Sequence, residues 1–167
     1  RDQMRRLADT DGLTGLPNRR VGLQRLNQLI TQAGTTGVLS IGFVDVDHFK
    51  AINDTYGHDV GDKVLVEVAR VMAESVRADD VVRMGGEEFL VMLPGVDLAG
   101  ARARMQAIGE QLAQIQLRSS APGLLVTASI GIAQYHPGDM DMAALLRRAD
   151  QAMYGAKQQG RNQVFEA

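Results

Sequence analysis

V-V-R-M-G-G-E-E-F-L-V-M-L, residues 81–93, reads as two short strands hinged on a pair of glycines. Apart from Arg83, Glu87 and Glu88, residues 81–83 and 87–93 are apolar and partly β-branched, and Gly85-Gly86 supplies what a tight hairpin turn needs. Working outward, V-L-S-I-G-F-V-D-V at 38–46 predicts a buried strand. Val64, Leu65, Val68, Val71 and Met72 recur at helical spacing between the two stretches. Leu98, Ala101, Met105, Ile108, Leu112 and Ile115 do the same beyond them. L-L-V-T-A-S-I-G-I-A at 124–133 predicts another strand, and Met142, Leu145, Leu146, Ala149 and Met153 a last helix. Residues 163–165 predict an edge strand, and Leu23, Leu26, Leu29 and Ile30 a helix over 18–32, broken at Gly34 and Gly37.

From 38 to 133 the order is strand, helix, strand, strand, helix, strand. This predicts an α+β fold with a ferredoxin-like βαββαβ core, a central antiparallel sheet flanked by helices. In that topology the first and third strands are antiparallel neighbours, and the end of the first meets the glycine turn. Asp45 and Asp47 are thereby expected beside Glu87 and Glu88. Carboxylates forced together repel unless protonated or neutralised by a cation. Hard oxygen ligands suit Mg²⁺, which takes one or two carboxylates together with substrate phosphates. The plainer alternative is four solvated acids at strand ends.

Bulk properties narrow the classes. A chain of 167 residues with 45% apolar content fits one compact domain. No run of about 18 apolar residues is present, so no membrane-spanning helix and no membrane contact are expected. The N-terminus is Arg-rich, without the apolar core of a signal peptide. With no cysteine, disulfides and thiolate metal sites are excluded. The net charge of −2 gives no global case for nucleic acid, so an anionic ligand must be held by local groups. No Walker-type G-x-x-x-x-G-K-[ST], dinucleotide G-x-G-x-x-G or H-E-x-x-H occurs, and His48, His58 and His136 are too scattered for zinc. Lys157 and Arg161 follow the last helical pattern, where cations also simply favour helix ends. The chain opens on Arg1, which reads as a domain cut from a longer protein.

R-M-G-G-E-E-F, 83–89, resembles the signature of the GGDEF family of diguanylate cyclases in its GGEEF form. The resemblance runs nearly end to end. It takes in D-G-L-T-G-L-P-N-R-R (11–20), D-V-D-H-F-K-A-I-N-D-T-Y-G-H-D-V-G-D (45–62), A-S-I-G-I-A (128–133) and A-D-Q-A-M-Y-G-A-K-Q-Q-G-R-N (149–162). It implies a nucleotide-cyclase or polymerase-palm type of core, with residues 10–167 as the catalytic domain and 1–9 as the end of a linker helix. It also implies a bacterial, cytoplasmic second-messenger enzyme that joins two GTP molecules into cyclic di-GMP across a homodimer, under an upstream sensory or regulatory domain. A catalytically silent receptor for GTP or cyclic di-GMP is the alternative. Silent members usually lose signature acids, whereas Asp45, Glu87 and Glu88 are present.

The resemblance assigns roles residue by residue. Asp45, the carbonyl of Val46, Glu87 and Glu88 would hold Mg²⁺, with Mn²⁺ as the alternative ion, and Glu87 would accept the 3′-hydroxyl proton. Asn53 and Asp62 would read the guanine edge, with His58 nearby. Phe49 and Lys50 would offer backbone amides to phosphate, Gly85 and Gly86 would let the nucleotide approach, and Lys157 and Arg161 would contact the triphosphate. Many members also carry an inhibitory product site, R-x-x-D, ending four residues before the signature arginine. Here Val76 stands at its arginine position and the pattern occurs one residue later, at Arg77 to Asp80. Such a shift points side chains to the opposite face and argues against a feedback site, unless a shortened loop restores it; the simplest reading leaves Arg77, Asp79 and Asp80 as ordinary surface charges.

Overall fold

The computed structural model describes residues 4, 8–139 and 141–167. Helix α1 (Arg19–Ala33) starts at Asn18, whose side chain accepts from the Val21 amide. Strand β1 (Leu39–Val46) leads into two short-linked helices, α2 (Phe49–Tyr56) and α3 (His58–Ser75), broken at Gly57. A 3₁₀ turn (Ala78–Asp80) precedes the hairpin of β2 (Val81–Gly85) and β3 (Glu88–Pro94). Helix α4 (Leu98–Leu112), β4 (Ala128–Gln134), α5 (Met142–Gln158) and β5 (Gln163–Glu166) complete the chain.

The sheet order is β2-β3-β1-β4-β5. The first four positions are the ferredoxin-like arrangement, with β1 antiparallel to both β3 and β4. The fifth strand joins β4 in parallel, as the edge strand expected at 163–165. All eight residues of β1 are buried, because helices cover both faces of the sheet. Side chains alternate between the two. Val44 and Val46 pack with Val64, Val68, Met105 and Ile108 of α3 and α4. Ile41 and Phe43 pack with Leu26, Leu29, Leu145 and Met153 of α1 and α5. Gly131 in β4 lets α5 lie directly on the sheet: a Cβ there would sit 2.0 Å from the Ala149 carbonyl. That close approach brings the end of α5 beside the end of β1.

Two elements differ from the sequence pattern. Helix α2 carries one buried apolar residue, Ile52, too few to show a periodicity. Residues 124–127 do not extend β4: β1 ends at Val46 opposite Ala128, the Asp47 amide still donates to the Thr127 carbonyl at 2.9 Å, and the chain then turns into α2 at Phe49. The linker helix expected over 1–9 falls largely outside the described residues. Within the described part, Asn18 and Arg20 both donate to the Ala8 carbonyl, at 2.8 and 2.9 Å.

Candidate active site

The register of β1 on β3 places Asp45 opposite Glu88. The Val46 amide donates to the Glu87 carbonyl at 3.2 Å, closing the strand end against the turn. Asp45 is 2% exposed, and Glu87 and Glu88 are half-buried, so these acids are not a solvated fringe. Lys157 in the last turn of α5 brings Nζ to 2.8 Å from Asp45 Oδ1. Burial pushes the Asp45 carboxyl up, Lys157 pulls it back, and Glu87 and Asp47 add to the rise, leaving it above the usual range. Glu88 is also raised, first by burial and then by the charges of Asp45, Asp150 and Glu87. The Lys157 ammonium offsets part of the rise in both.

Asp47 lies close enough to raise Asp45, but its own carboxylate is hydrogen-bonded on the β4 side. Its carboxylate accepts from Ser129 Oγ at 2.6 Å, Thr127 Oγ1 at 2.7 Å and the Asn162 amide at 3.0 Å. Those three donors occupy its lone pairs on the β4 side, so the two aspartates of D-V-D have different work. The donors come from residues far along the chain, which is why no local spacing announced them.

The glycine turn is clasped from below. Arg83 donates through Nε and Nη2 to the Gly86 carbonyl, at 3.1 and 2.8 Å, and through Nη1 to both oxygens of Asp11. Asp11 in turn accepts from the Thr14 amide and hydroxyl, each at 2.8 Å. Burial works against the Asp11 carboxylate, but Thr14 and Arg83 overcome it and hold its pKa below the usual value. Gly85 and Gly86 are exposed at the tip, with no atom within 4 Å of where a Cβ would stand.

Helices α2 and α3 form the other wall. His48 precedes α2 in a left-handed conformation and makes no side-chain cap, which leaves the first-turn amides of Phe49 and Lys50 uncapped. Asn53 lies against Gly61, where a Cβ would meet Asn53 Oδ1 at 1.8 Å. That Oδ1 is buried and has no hydrogen-bond partner, the kind of orphan a ligand donor relieves. Asp62 lies on a shallow cavity of about 340 Å³ with Leu13, Val66 and Leu117. Leu13, in the 11–20 segment and not singled out by the sequence reading, flanks Asp62 with apolar surface. His58, at the start of α3, is exposed. Asp62 is exposed as well.

Arg161 is exposed just beyond α5, on a turn with Asn162, at the same end of the sheet as Asp45. Asp80 is not the surface charge expected: it is 2% exposed and paired with Arg25 of α1 at 3.2 Å. The 3₁₀ turn points it inward, while Arg77 and Asp79 remain outside the core.

Residues 8–163 match the family described as "Diguanylate cyclase, GGDEF domain". The chain belongs to the GGDEF-domain family. It is 44% identical over 170 residues to the response regulator PleD of Caulobacter vibrioides, covering 98% of this chain and 37% of PleD. It is 39% identical over 165 residues to the diguanylate cyclase DgcP of Pseudomonas aeruginosa, covering 98% of this chain and 24% of DgcP. The chain thus spans well under half the length of these curated relatives. The solved coiled coil and GGDEF domain of Caulobacter crescentus DgcB, in complex with c-di-GMP, superposes with a TM-score of 0.93 at 32% identity. That match covers 99% of this chain and 89% of DgcB. The GGDEF fold, a mixed five-stranded sheet with flanking helices, is therefore shared throughout.

Enzymes of this nucleotidyl-transfer family need a divalent metal, and the site's chemistry accommodates one. Among the described residues no three acidic or imidazole side chains converge as a ready-made cage. The donors are instead hard oxygens at an open edge, short of a full shell, as suits an ion that keeps substrate phosphates and water. At that edge Asp45 is paired with the Lys157 ammonium.

Proposed function

We propose that the chain condenses two GTP molecules into cyclic di-GMP, releasing two pyrophosphates, in a Mg²⁺-dependent reaction with Mn²⁺ as an alternative ion. The observation that carries this reading is Asp45 in register with Glu88, with Glu87 at the adjoining turn. Asp45, Glu87, Glu88 and the Val46 carbonyl would hold the ion, which when bound neutralises charge developing on the transferring phosphate. Glu87 takes the proton of one GTP's 3′-hydroxyl as that oxygen bonds to the α-phosphorus of the other. The bond from that phosphorus to the β-phosphate oxygen breaks and pyrophosphate leaves. Repetition with the roles exchanged closes the ring.

The remaining residues bind and orient. Asn53 and Asp62 receive the guanine edge, with Leu13 against the base and His58 nearby. The amides of Phe49 and Lys50, and the cations Lys157 and Arg161, receive phosphate oxygens. Gly85 and Gly86 leave the turn bare for the nucleotide. Each domain holds one GTP, so catalysis requires two copies face to face, in the cytoplasm where GTP is found. Residues 10–167 act as the catalytic domain. The short share of each relative covered supports a regulatory region elsewhere in a longer protein.

Concentrated chain incubated with GTP and Mg²⁺, with nucleotides resolved by chromatography, tests the reading. Cyclic di-GMP should form from GTP and not ATP, and Glu87→Ala should slow it roughly 10²–10⁴-fold. Absence of product even after fusion to a strong dimeriser would instead favour a silent nucleotide receptor.

A further inference from the structure

We propose that Asp47 is a positioning residue that locks the turn carrying Arg161, and so sets where the triphosphate is gripped. The inference rests on the nucleotide reading above. Asp47 is 4% exposed, and among the described residues no Lys, Arg or His forms an ion pair with it. A buried carboxylate without a counter-ion persists only if donors satisfy it. Two of its donors are the hydroxyls of Thr127 and Ser129, at the start of β4. The third is the backbone amide of Asn162, 115 residues away.

That amide belongs to an unusual turn. Arg161 and Asn162 follow one another with φ of 65° and 49°, both in the left-handed region that side chains other than glycine avoid. Such a conformation lasts only where the surroundings impose it. From within its own segment the turn has the Arg161 amide on the Ala156 carbonyl at 2.9 Å and Gln163 Nε2 on the same oxygen at 3.1 Å. The β5 ladder, starting at Gln163 opposite Ser129, anchors the segment to β4, and Asp47 adds the tie from the turn itself to the end of β1. Because Asp47 lies two residues beyond Asp45, the tie fixes the origin of the Arg161 side chain relative to the carboxylate edge. Metal ligand and phosphate cation are thereby set from one strand end. A purely local role, steadying β4 through the two hydroxyls, would not act on Arg161.

The probe is GTP with a methylene bridge between its α- and β-phosphates, which cannot lose pyrophosphate, titrated calorimetrically into the 167-residue chain with Mg²⁺. Asp47→Ala and Arg161→Ala should each weaken binding about tenfold, and the double variant hardly more, because coupled residues are not additive. An Asp47→Ala affinity within about twofold of the unaltered chain, or a double loss near a hundredfold, overturns the proposal. Should Asp47→Ala not fold, Asp47→Asn keeps the size and removes the charge. Amide hydrogen exchange at Asn162 should then quicken in parallel with a loss of affinity. Quickened exchange with unchanged affinity refutes the link. No binding by the unaltered chain removes the nucleotide reading and this inference together, whereas tight binding with an indifferent Asp47 removes this inference alone.

Discussion

The turn at Gly85-Gly86 and the turn at Arg161-Asn162 stand on either side of Asp45, and both pass through positive-φ backbone. The first is built from glycines and clasped by a cation, Arg83, on the carbonyl of Gly86. The second is built from residues with side chains and clasped by an anion, Asp47, on the amide of Asn162. Where the turn must be bare, glycine adopts the conformation without strain. Where it must carry a guanidinium, the strain persists and a tertiary contact has to hold it. The site is framed by one relaxed turn and one enforced turn.

Breaking the clasp on the relaxed turn should have the largest effect. Arg83→Ala strands the Gly86 carbonyl and leaves Asp11 without its cation. Hydrogen bonds to a charged group of this kind contribute about 2 kcal/mol. Unfolding in urea should register that loss. Turnover should fall further, about 10²-fold, because Glu87 and Glu88 follow directly on the turn and small misplacements are severe for catalysis. A variant with reduced stability but unimpaired turnover would show that the hairpin positions its glutamates without the arginine.

Acid separates the clasp from the carboxylate edge, because the two titrate with opposite sign. Asp11 has a folded pKa below its unfolded value, so its contribution is present above about pH 4 and is lost as pH falls through the folded value. Asp45 and Glu88 have folded values above the ordinary range, so the folded state takes up their protons first. The cost of their burial, and with it their repulsion by neighbouring acids, is relieved as pH falls from neutrality through that raised range. In chelator, the urea midpoint should rise on mild acidification and then drop at lower pH. Asp45→Asn should flatten the rise, and Asp11→Asn should remove part of the drop. A midpoint that declines steadily from neutrality would mean the carboxylate edge carries no such repulsion. By the same sign, Mg²⁺ should bind more weakly as those acids take up protons.

The relaxed turn and the carboxylate edge were legible in the sequence, and the enforced turn was not. Periodicity exposed the strands at 38–46 and 81–93, and topology alone brought Asp45 to Glu88. Two glycines before two acids announced the bare hairpin. Nothing local distinguishes Asp45 from Asp47, since both are aspartates at one strand end. Their roles part only through Lys157 on one and Thr127, Ser129 and Asn162 on the other. Asp80 misled for the same reason, its partner Arg25 lying 55 positions earlier. Leu13 was hidden because Leu13 and Leu16, two leucines in a Gly- and Pro-rich segment, are too few to show a period that would betray the cavity Leu13 lines.

A middle-sized effect comes from putting a side chain on the relaxed turn. Gly86→Ala places a Cβ in open space at a φ of 47°, so strain rather than collision decides, at about 1 kcal/mol. Urea unfolding reads it directly, and a cost above roughly twice that would mean that the tip touches something it does not touch here.

The converse change on the enforced turn should be the smallest. Asn162→Gly removes the left-handed penalty, which for asparagine is already the mildest among residues with side chains, and adds glycine's greater freedom in the unfolded chain. Those terms oppose one another and each is below about 1 kcal/mol, so stability should move by less than about 0.5 kcal/mol. The amide that Asp47 accepts is retained, so analogue binding should not change. Introduced into Asp47→Ala, the same substitution acts on a turn that has lost its tie, and the freed backbone should weaken the grip on phosphate further. If Asn162→Gly alone loosened binding as much as Asp47→Ala, the asparagine side chain, rather than the clasp on its amide, would be what distinguishes the two turns.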